Sequence, residues 1–591
     1  MGAFFLYRTD TDIKIKPVQE LFIQKGFSTP VIHRFGEWSL LHYKKQLLPN
    51  DLMTVIRPNC SLFAVGTFAY KAQGLQKSIE TILTDYENET LNQDDLVGPY
   101  CLLFRHGKTF TLLTDRMNLF HVFTNEENTV FSSSFAAVLK AGPRKYSINV
   151  PAVIENVLTG YIIGPETIVK NVYLADNQYQ ERFKHACIKF LPHPQDNRLE
   201  VPSRIISFEQ CVDKQIEVLD GYFESFKKLV EDVGGIDIGL SGGYDSRVLA
   251  LMAKRHFSQV SAHTHYHKKI TADEVYAEIV AKELSIPFYR CAEAKQAEEM
   301  DVEEFEKNLE NTATYNDGRV VHDYSWLGYF RTRWYRESVL KDLKFGMNGL
   351  SGELYRNHDN QFFRSVNTHE WIKGRIIGIT RARTIRKSLM DEILEHIITK
   401  ACCTLHVDLK TKISHHQTRR YFGELFSIYA AAVRMNIDNQ LGMSLSPFTD
   451  YGPRLASYET LPHLGVHGAF EAAMIKRMNL KVASFVSNYG YSFDKSPPLL
   501  KQAKYVIRGV IPCGIQNKLT ALRCGLLDTR HSREVYQQLY VAMPLIRAAT
   551  ELMRESRFGL NWEKVVEDYL VMRRTLSIGI MLLKYEDSID F

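Results

Sequence analysis

Near the middle of the chain, Ser241-Gly242-Gly243-Tyr244-Asp245-Ser246 joins small side chains to a carboxylate in a pattern suited to a phosphorylated ligand. Glycines let backbone N–H groups close on phosphate oxygens, and a helix starting here adds the positive end of its dipole. Ser241 and Ser246 supply hydroxyls. Asp245, a carboxylate where phosphates would lie, makes chemical sense as a Mg²⁺ ligand. No Lys follows the glycines, so the Walker A pattern is missing, which argues against an NTPase that cleaves at the γ-phosphate. A Gly-Gly pair alone would be only a strand-to-helix turn. The flanking serines, Asp245 and the preceding Ile236-Asp237-Ile238-Gly239-Leu240 run point instead to a pyrophosphate-binding loop.

Such a loop needs a strand to deliver it and a helix to receive it. Ser207-Phe208-Glu209-Gln210 is a capping-box pattern opening a long amphipathic helix that ends near Gly234-Gly235. A strand over 236–240, the loop, a helix over 247–254, a strand over 259–266 and a helix opened by Thr271-Ala272-Asp273-Glu274 follow. That alternation predicts a parallel sheet with covering helices. Beyond about residue 365 the pattern is mostly helical, as a cap or tail would be. Before residue 200, short apolar runs over 61–68, 101–104, 110–113, 121–123 and 130–132 predict strands, and 76–86 carries helical spacing, so this part is α+β. The polar, proline-bearing stretch 192–202 is the expected linker, giving units 1–200 and 205–591.

With 591 residues, 45% hydrophobic and 24% charged, the composition is that of a globular enzyme. A formal charge of +5, without basic blocks, gives no case for nucleic acid. Nine cysteines form no CxxC pair, and the adjacent Cys402-Cys403 cannot supply zinc-ligand spacing, so free thiols and a cytoplasmic location are expected. No run approaches the roughly 20 apolar residues of a membrane span, and Gly2 lacks the Ser or Thr that myristoylation favours four residues on. His263, His265 and His267 share one side of a strand by period-two spacing. With no carboxylate or Cys partner legible, packing or surface roles are favoured over a metal.

The Ser241–Ser246 loop resembles the SGGxDS loop of N-type ATP pyrophosphatases, specifically of the asparagine synthetase B family. The resemblance extends to Asp273-Glu274-Val275-Tyr276-Ala277-Glu278, Pro447-Phe448-Thr449-Asp450, Gly98-Pro99-Tyr100, Thr114-Asp115-Arg116 and Phe131-Ser132-Ser133-Ser134. It implies an N-terminal α+β domain of the Ntn-hydrolase, glutamine amidotransferase-like type. An α/β parallel-sheet PP-loop domain, similar to adenine nucleotide α-hydrolases and with a helical C-terminal part, would follow. The implied activity is an amide-forming ligase that adenylates a carboxylate with ATP and Mg²⁺ and passes it to an amine; a homodimer is compatible. Leu240, Ser241, Gly242, Gly243, Asp245, Ser246, Arg247, His263 and Gly349 would then bind ATP or pyrophosphate, with the 260–266 main chain meeting adenine.

The family's second turn corresponds to 345–357. There Gly349 and Gly352 replace its Glu and Asp, leaving Glu353 to hold Mg²⁺ beside Asp245 or to orient the nucleophile. No clear Arg-x-Lys element is present. Lys476 and Lys495 are the nearest cations for the transition-state charge, with Arg247 and Arg356 as phosphate partners. Position 2, the family's nucleophilic Cys, is Gly, so glutamine hydrolysis is not expected. β-Lactam synthetases and lasso-peptide cyclases are similar in lacking that Cys. A decayed nucleotide-binding or scaffold protein is the alternative. A PP-loop enzyme of tRNA modification or sulfur transfer would call for a Cys pair and a basic face, neither of which is visible.

Overall fold

The computed structural model describes residues 2–48, 53–175, 188–191, 206–266, 272–292, 301–317, 319, 345–357, 365–378, 380–525 and 529–591. His267, Thr271 and the expected linker 192–202 lie outside the described residues.

The first strand, Ala3–Arg8, is apolar at nearly every position because it is covered on both faces. Phe4 and Leu6 enter one core with Leu40, Leu62, Phe104 and Leu112. Ala3 and Phe5, pointing oppositely, enter another with Phe22, Val138 and Val157. The two faces belong to a six-stranded sheet, in order Val172–Leu174, Phe123–Asn125, Val130–Ser132, Ala3–Arg8, Trp38–Tyr43, Val31–Phe35. A five-stranded sheet stacks on it, in order Lys189–Phe190, Thr109–Thr114, Tyr100–His106, Cys60–Gly66, Thr54–Ile56. Helix Leu75–Glu87 covers the second sheet through Ile79, Ile82 and Leu83. Helices Ile15–Gln24, Phe135–Ala141 and Val150–Thr159 cover the first. The layers therefore run helix, sheet, sheet, helix. The expected strand over 121–123 begins only at Phe123, since His121 is drawn aside: its N–H donates to Asn436 Oδ1 at 3.0 Å and its ring meets the Ile428 carbonyl at 2.9 Å.

The second part is built on a five-stranded parallel sheet, in order Phe288–Ala292, Val260–Tyr266, Ile236–Gly239, Phe345–Met347, Met443–Leu445. From Ile236–Gly239 the chain winds outward one way through two strands and then returns to the opposite side. The strand order thus reverses between Ile236–Gly239 and Phe345–Met347, and the crevice at the carboxyl ends of such a pair is where open α/β sheets bind ligands. Helix Phe208–Asp232 opens with the expected capping box, the Gln210 N–H meeting Ser207 Oγ at 3.2 Å.

The helical C-terminal part is not a detached tail. Helix Tyr569–Lys584 buries Leu576, Ile580 and Leu582 in the core that also holds Phe5 and Val157, and Ile589–Asp590 pairs with Tyr146–Ser147. Arg574, fully buried, donates to the Leu158 carbonyl at 3.0 Å. Gly160 ends helix Val150–Thr159 at φ +87°, and a Cβ there would also strike the Arg574 guanidinium. No helix among the described residues is long and apolar enough to cross a membrane.

Candidate functional site

The helix after the glycine loop begins at Tyr244 and runs to His256, earlier than periodicity placed it, so Asp245 and Ser246 stand in its first turn. Ser246 Oγ accepts the Ser241 N–H at 3.0 Å and donates to the Ser241 carbonyl at 3.0 Å. Ser241 Oγ lies 2.9 Å from it and accepts the Gly243 N–H at 3.2 Å. Both hydroxyls are therefore spent on shaping the loop rather than directed outward. The Gly242 N–H donates to Asp273 Oδ1 at 3.1 Å, so the carboxylate opening helix Ala272–Glu283 holds the place an anionic oxygen would take.

At the neighbouring strand, the Leu240 N–H donates to the His263 carbonyl at 2.8 Å. The His263 ring reaches Asp237 Oδ2 at 2.6 Å and lies near Gly239, beside the loop entrance. Here the sequence expectation needs correction: His263 does have a carboxylate partner. Asp237 sits on the adjacent strand, where spacing along one strand cannot reveal it. Asp237 also accepts the Ser261 hydroxyl at 2.7 Å.

Across the crevice, Asn348 leads into the single turn Gly352–Tyr355. A Cβ on Gly349 would lie 3.0 Å from Asp245 Cβ, and one on Gly352 would overlap the Asp245 carboxylate. The two glycines are thus sites where the Asp245 side chain lies directly on the main chain, leaving no room for the carboxylates that the resemblance would place there. Glu353 and Arg356 follow. The Arg356 guanidinium pairs with Asp245 Oδ2, lies 3.0 Å from Glu471 Oε2 and 3.7 Å from Glu353 Oε1, and donates to the Tyr489 hydroxyl at 3.3 Å. Burial, followed by the Asp245 charge, raises the Glu353 carboxyl above its usual range, and the same causes raise Glu471 well above it. Burial disfavours the Arg356 cation, but Glu471, Asp245 and Glu353 outweigh that and hold it charged.

Of the expected cations, Arg247 is turned away from the crevice. Fully buried, it donates to the carbonyls of Val482 at 3.1 Å, Phe485 at 3.0 Å and Val486 at 2.8 Å, and so secures a turn rather than a phosphate. Lys476 and Lys495 are both exposed; Lys476 reaches the Asp494 carbonyl at 3.4 Å, and neither is paired with the carboxylates. Sequence reading missed Glu471 and Lys501. The Lys501 ammonium meets the Tyr489 carbonyl, and the Asn488 N–H meets the Gly242 carbonyl at 3.4 Å, which lays the 488–491 turn against the glycine loop.

The three carboxylates Asp245, Glu353 and Glu471, gathered around the one Arg356 guanidinium, are a donor set that suits a divalent cation. The loop and the helix start suit a polyphosphate, with Asp273 standing where an oxygen would bind. A second acidic group, Glu155, Glu166 and His396, has ligand spacing. Lys400 already satisfies it, with Nζ 2.7 Å from Glu155 and 2.8 Å from Glu166. At the chain start, the Gly2 N–H donates to the Tyr43 carbonyl at 2.9 Å, and a Cβ on Gly2 would come within 2.9 Å of Lys44 O, Lys45 Cα and Phe27 Cε1.

Comparison with models of known protein families and with curated proteins gives no match.

Proposed function

We propose that the chain is an ATP-dependent, amide-forming ligase of the asparagine synthetase type: an Ntn-hydrolase-like unit without glutaminase activity joined to a PP-loop synthetase unit. The observation that carries this reading is the convergence of the 241–246 loop and the 348–357 turn at the carboxyl ends of the two parallel strands where the sheet order reverses. The helix, sheet, sheet, helix layering supports the reading of the first unit. Gly2 has no side chain with which to attack and its N–H is engaged by the Tyr43 carbonyl, which supports the absence of glutaminase activity.

Mg²⁺·ATP supplies the activated phosphorus at which a carboxylate substrate displaces pyrophosphate, and an amine then displaces AMP. The chain's contribution is placement and charge. The glycine turn and the start of helix Tyr244–His256 bind the phosphates; Asp245, Glu353 and Glu471 hold the ion. Arg356 and Lys501 offset the charge on the leaving group. His263, fixed by Asp237, borders the nucleotide side. With no glutamine hydrolysed, the amine is free ammonia or belongs to the substrate.

One observation favours a second reading, a nucleotide-binding protein or scaffold that no longer turns over. Arg356 neutralises the carboxylates and Asp273 caps the loop, a self-satisfied state. The deciding experiment is pyrophosphate release from Mg²⁺·ATP over a panel of carboxylates, with ammonia or with glutamine. Release with ammonia but not with glutamine supports the ligase. No release with any acid, together with no ATP binding, would leave the scaffold.

A further inference from the structure

We propose that the helices Leu499–Val510 and Cys513–Gly525 form a docking face for the surface of a bilayer carrying anionic lipid. A helix of a globular protein ordinarily turns its apolar stripe inward and its polar side to water. The first of these helices is mounted the other way round. Leu499 and Leu500 are 81% and 87% exposed, and Val506 and Ile507 are exposed with them, while the polar side is held against the protein. There the Lys501 ammonium meets the Tyr489 carbonyl, Gln502 Nε2 donates to the Pro497 carbonyl at 2.6 Å, and the Tyr505 ring packs edge-on against His467 with centroids 4.8 Å apart. The second helix repeats the reversal. Asn517 is buried and donates to the Glu370 carbonyl at 3.0 Å, while Ile515, Leu519 and Leu522 are each at least half exposed. Gln516 Nε2 donates to the carbonyls of Arg508 and Ile511, both at 2.8 Å, which fixes the corner between the helices.

Charge decides what covers the face. From Lys495 to Leu527 the sequence holds six cations, Lys495, Lys501, Lys504, Arg508, Lys518 and Arg523, and no Asp or Glu. At about 100° of helix per residue, Lys504 and Arg508 fall along the edge of the arc that Leu500 and Ile507 occupy, and both are exposed. An apolar stripe bordered by Lys and Arg suits a helix lying in a bilayer interface: the stripe enters the acyl boundary and the cations reach back to anionic headgroups. A second copy of this chain would bring the same cations together across the contact, which disfavours self-pairing. Exposure above four-fifths at Leu499 and Leu500 means that no wall of described residues surrounds them as a peptide-binding groove would, whereas a fluid acyl layer adapts to such protrusions. The contact is with a surface only, since no helix among the described residues is long and apolar enough to cross a membrane. It is independent of the ligase reading, and Lys501, assigned to the crevice, lies on the opposite side of the helix from the stripe.

The test is co-sedimentation of the full chain with vesicles of phosphatidylcholine alone or of phosphatidylcholine with about 30% phosphatidylserine. The chain should bind the anionic vesicles about tenfold more tightly than the neutral ones, and salt at about 0.5 M should reduce that preference by screening the cations. Leu500→Asp with Ile507→Asp should weaken binding to the anionic vesicles about tenfold or more, and Lys504→Glu with Arg508→Glu should do so by a similar factor. These side chains are exposed, so both double variants should keep the wild-type melting temperature, which separates lost docking from lost fold. Failure of the wild type to pellet with anionic vesicles overturns the proposal, as does undiminished binding by either double variant. Concentration-dependent self-association in light scattering, abolished by Leu500→Asp with Ile507→Asp while vesicles are ignored, would overturn it by assigning the face to a second copy; capture of an acidic protein under the same conditions would assign it to that protein.

Discussion

Asp245 and Arg247 lie in the same helix start, two residues and therefore about 200° of helix apart, and they serve opposite surroundings. Asp245 faces the crevice at 23% side-chain exposure and meets Arg356, while Arg247 faces the core and meets three carbonyls. Asp245→Ala is therefore expected to lower pyrophosphate release by roughly 100-fold or more while the melting temperature stays within a few degrees of wild type, because a group directed at charge supports chemistry more than packing. Arg247→Met is expected to cost ~2–4 kcal/mol in urea denaturation by stranding buried carbonyls, with nucleotide affinity falling only as far as the fold loosens. Should Arg247→Met instead abolish ATP binding in a fully folded protein, the structural assignment of Arg247 fails. The loop itself was legible, since glycines, serines and one Asp in series have few other uses. Glu471 was not: it lies in the first turn of helix Ala469–Met478, where an acidic residue is ordinary, and only the fold brings it to Arg356. Asp237 and His263 were hidden for the same reason, being neighbours across strands 26 residues apart in sequence.

Among the elements, the Gly352–Tyr355 turn shows how space and charge are coupled. Gly349 and Gly352 were readable as standing where the resemblance would put carboxylates; that Asp245 fills the room beside them was not, because steric exclusion exists only once two loops meet. Gly352→Ala must push Asp245 aside, and the expected result is a loss of ~1–3 kcal/mol in stability together with a larger fall in turnover. Burial, helped by the nearby Asp450 charge, raises Asp115 to about 7, and burial raises Asp450 to about 6. A carboxyl whose folded pKa lies above its unfolded value of 3.8 stabilises the fold fully below that value and loses the contribution as pH rises through the folded pKa. These two groups should therefore make the protein less stable at pH 7.5 than at pH 4.5, each on the order of 1–2 kcal/mol after allowance for relaxation. Asp450→Asn should flatten that slope in urea denaturation; an unchanged slope would place the pH dependence elsewhere. The Asp450 motif was visible in the sequence, but its burial beside Tyr222 depends on helix Phe208–Asp232 crossing it.

At the scale of the molecule, alternating strands and helices were enough to foresee the parallel sheet, since each βαβ step is local. The joining of the first sheet to the last long helix was not foreseeable, because nothing in the pattern of Tyr569–Lys584 names its partner. Residues 1–200 expressed alone should accordingly lack the near-ultraviolet circular dichroism of a packed domain and should bind a hydrophobic dye, as one face of helix Val150–Thr159 would be bare. A well-packed fragment would contradict this. Gly2→Cys should create no glutaminase activity and should destabilise the protein, since its side chain would have to displace the 44–45 main chain or the Phe27 ring.

The contact between Arg574 and Leu158 spans 416 residues. At ribosomal speeds of about 5–20 residues per second, the first sheet waits roughly 20–80 s for the helix that seals it. Through that interval a nascent chain carries an open apolar face, which makes its birth dependent on whatever shields such faces in the cell, and makes synonymous changes that slow translation of the second half a hazard for the folding of the first.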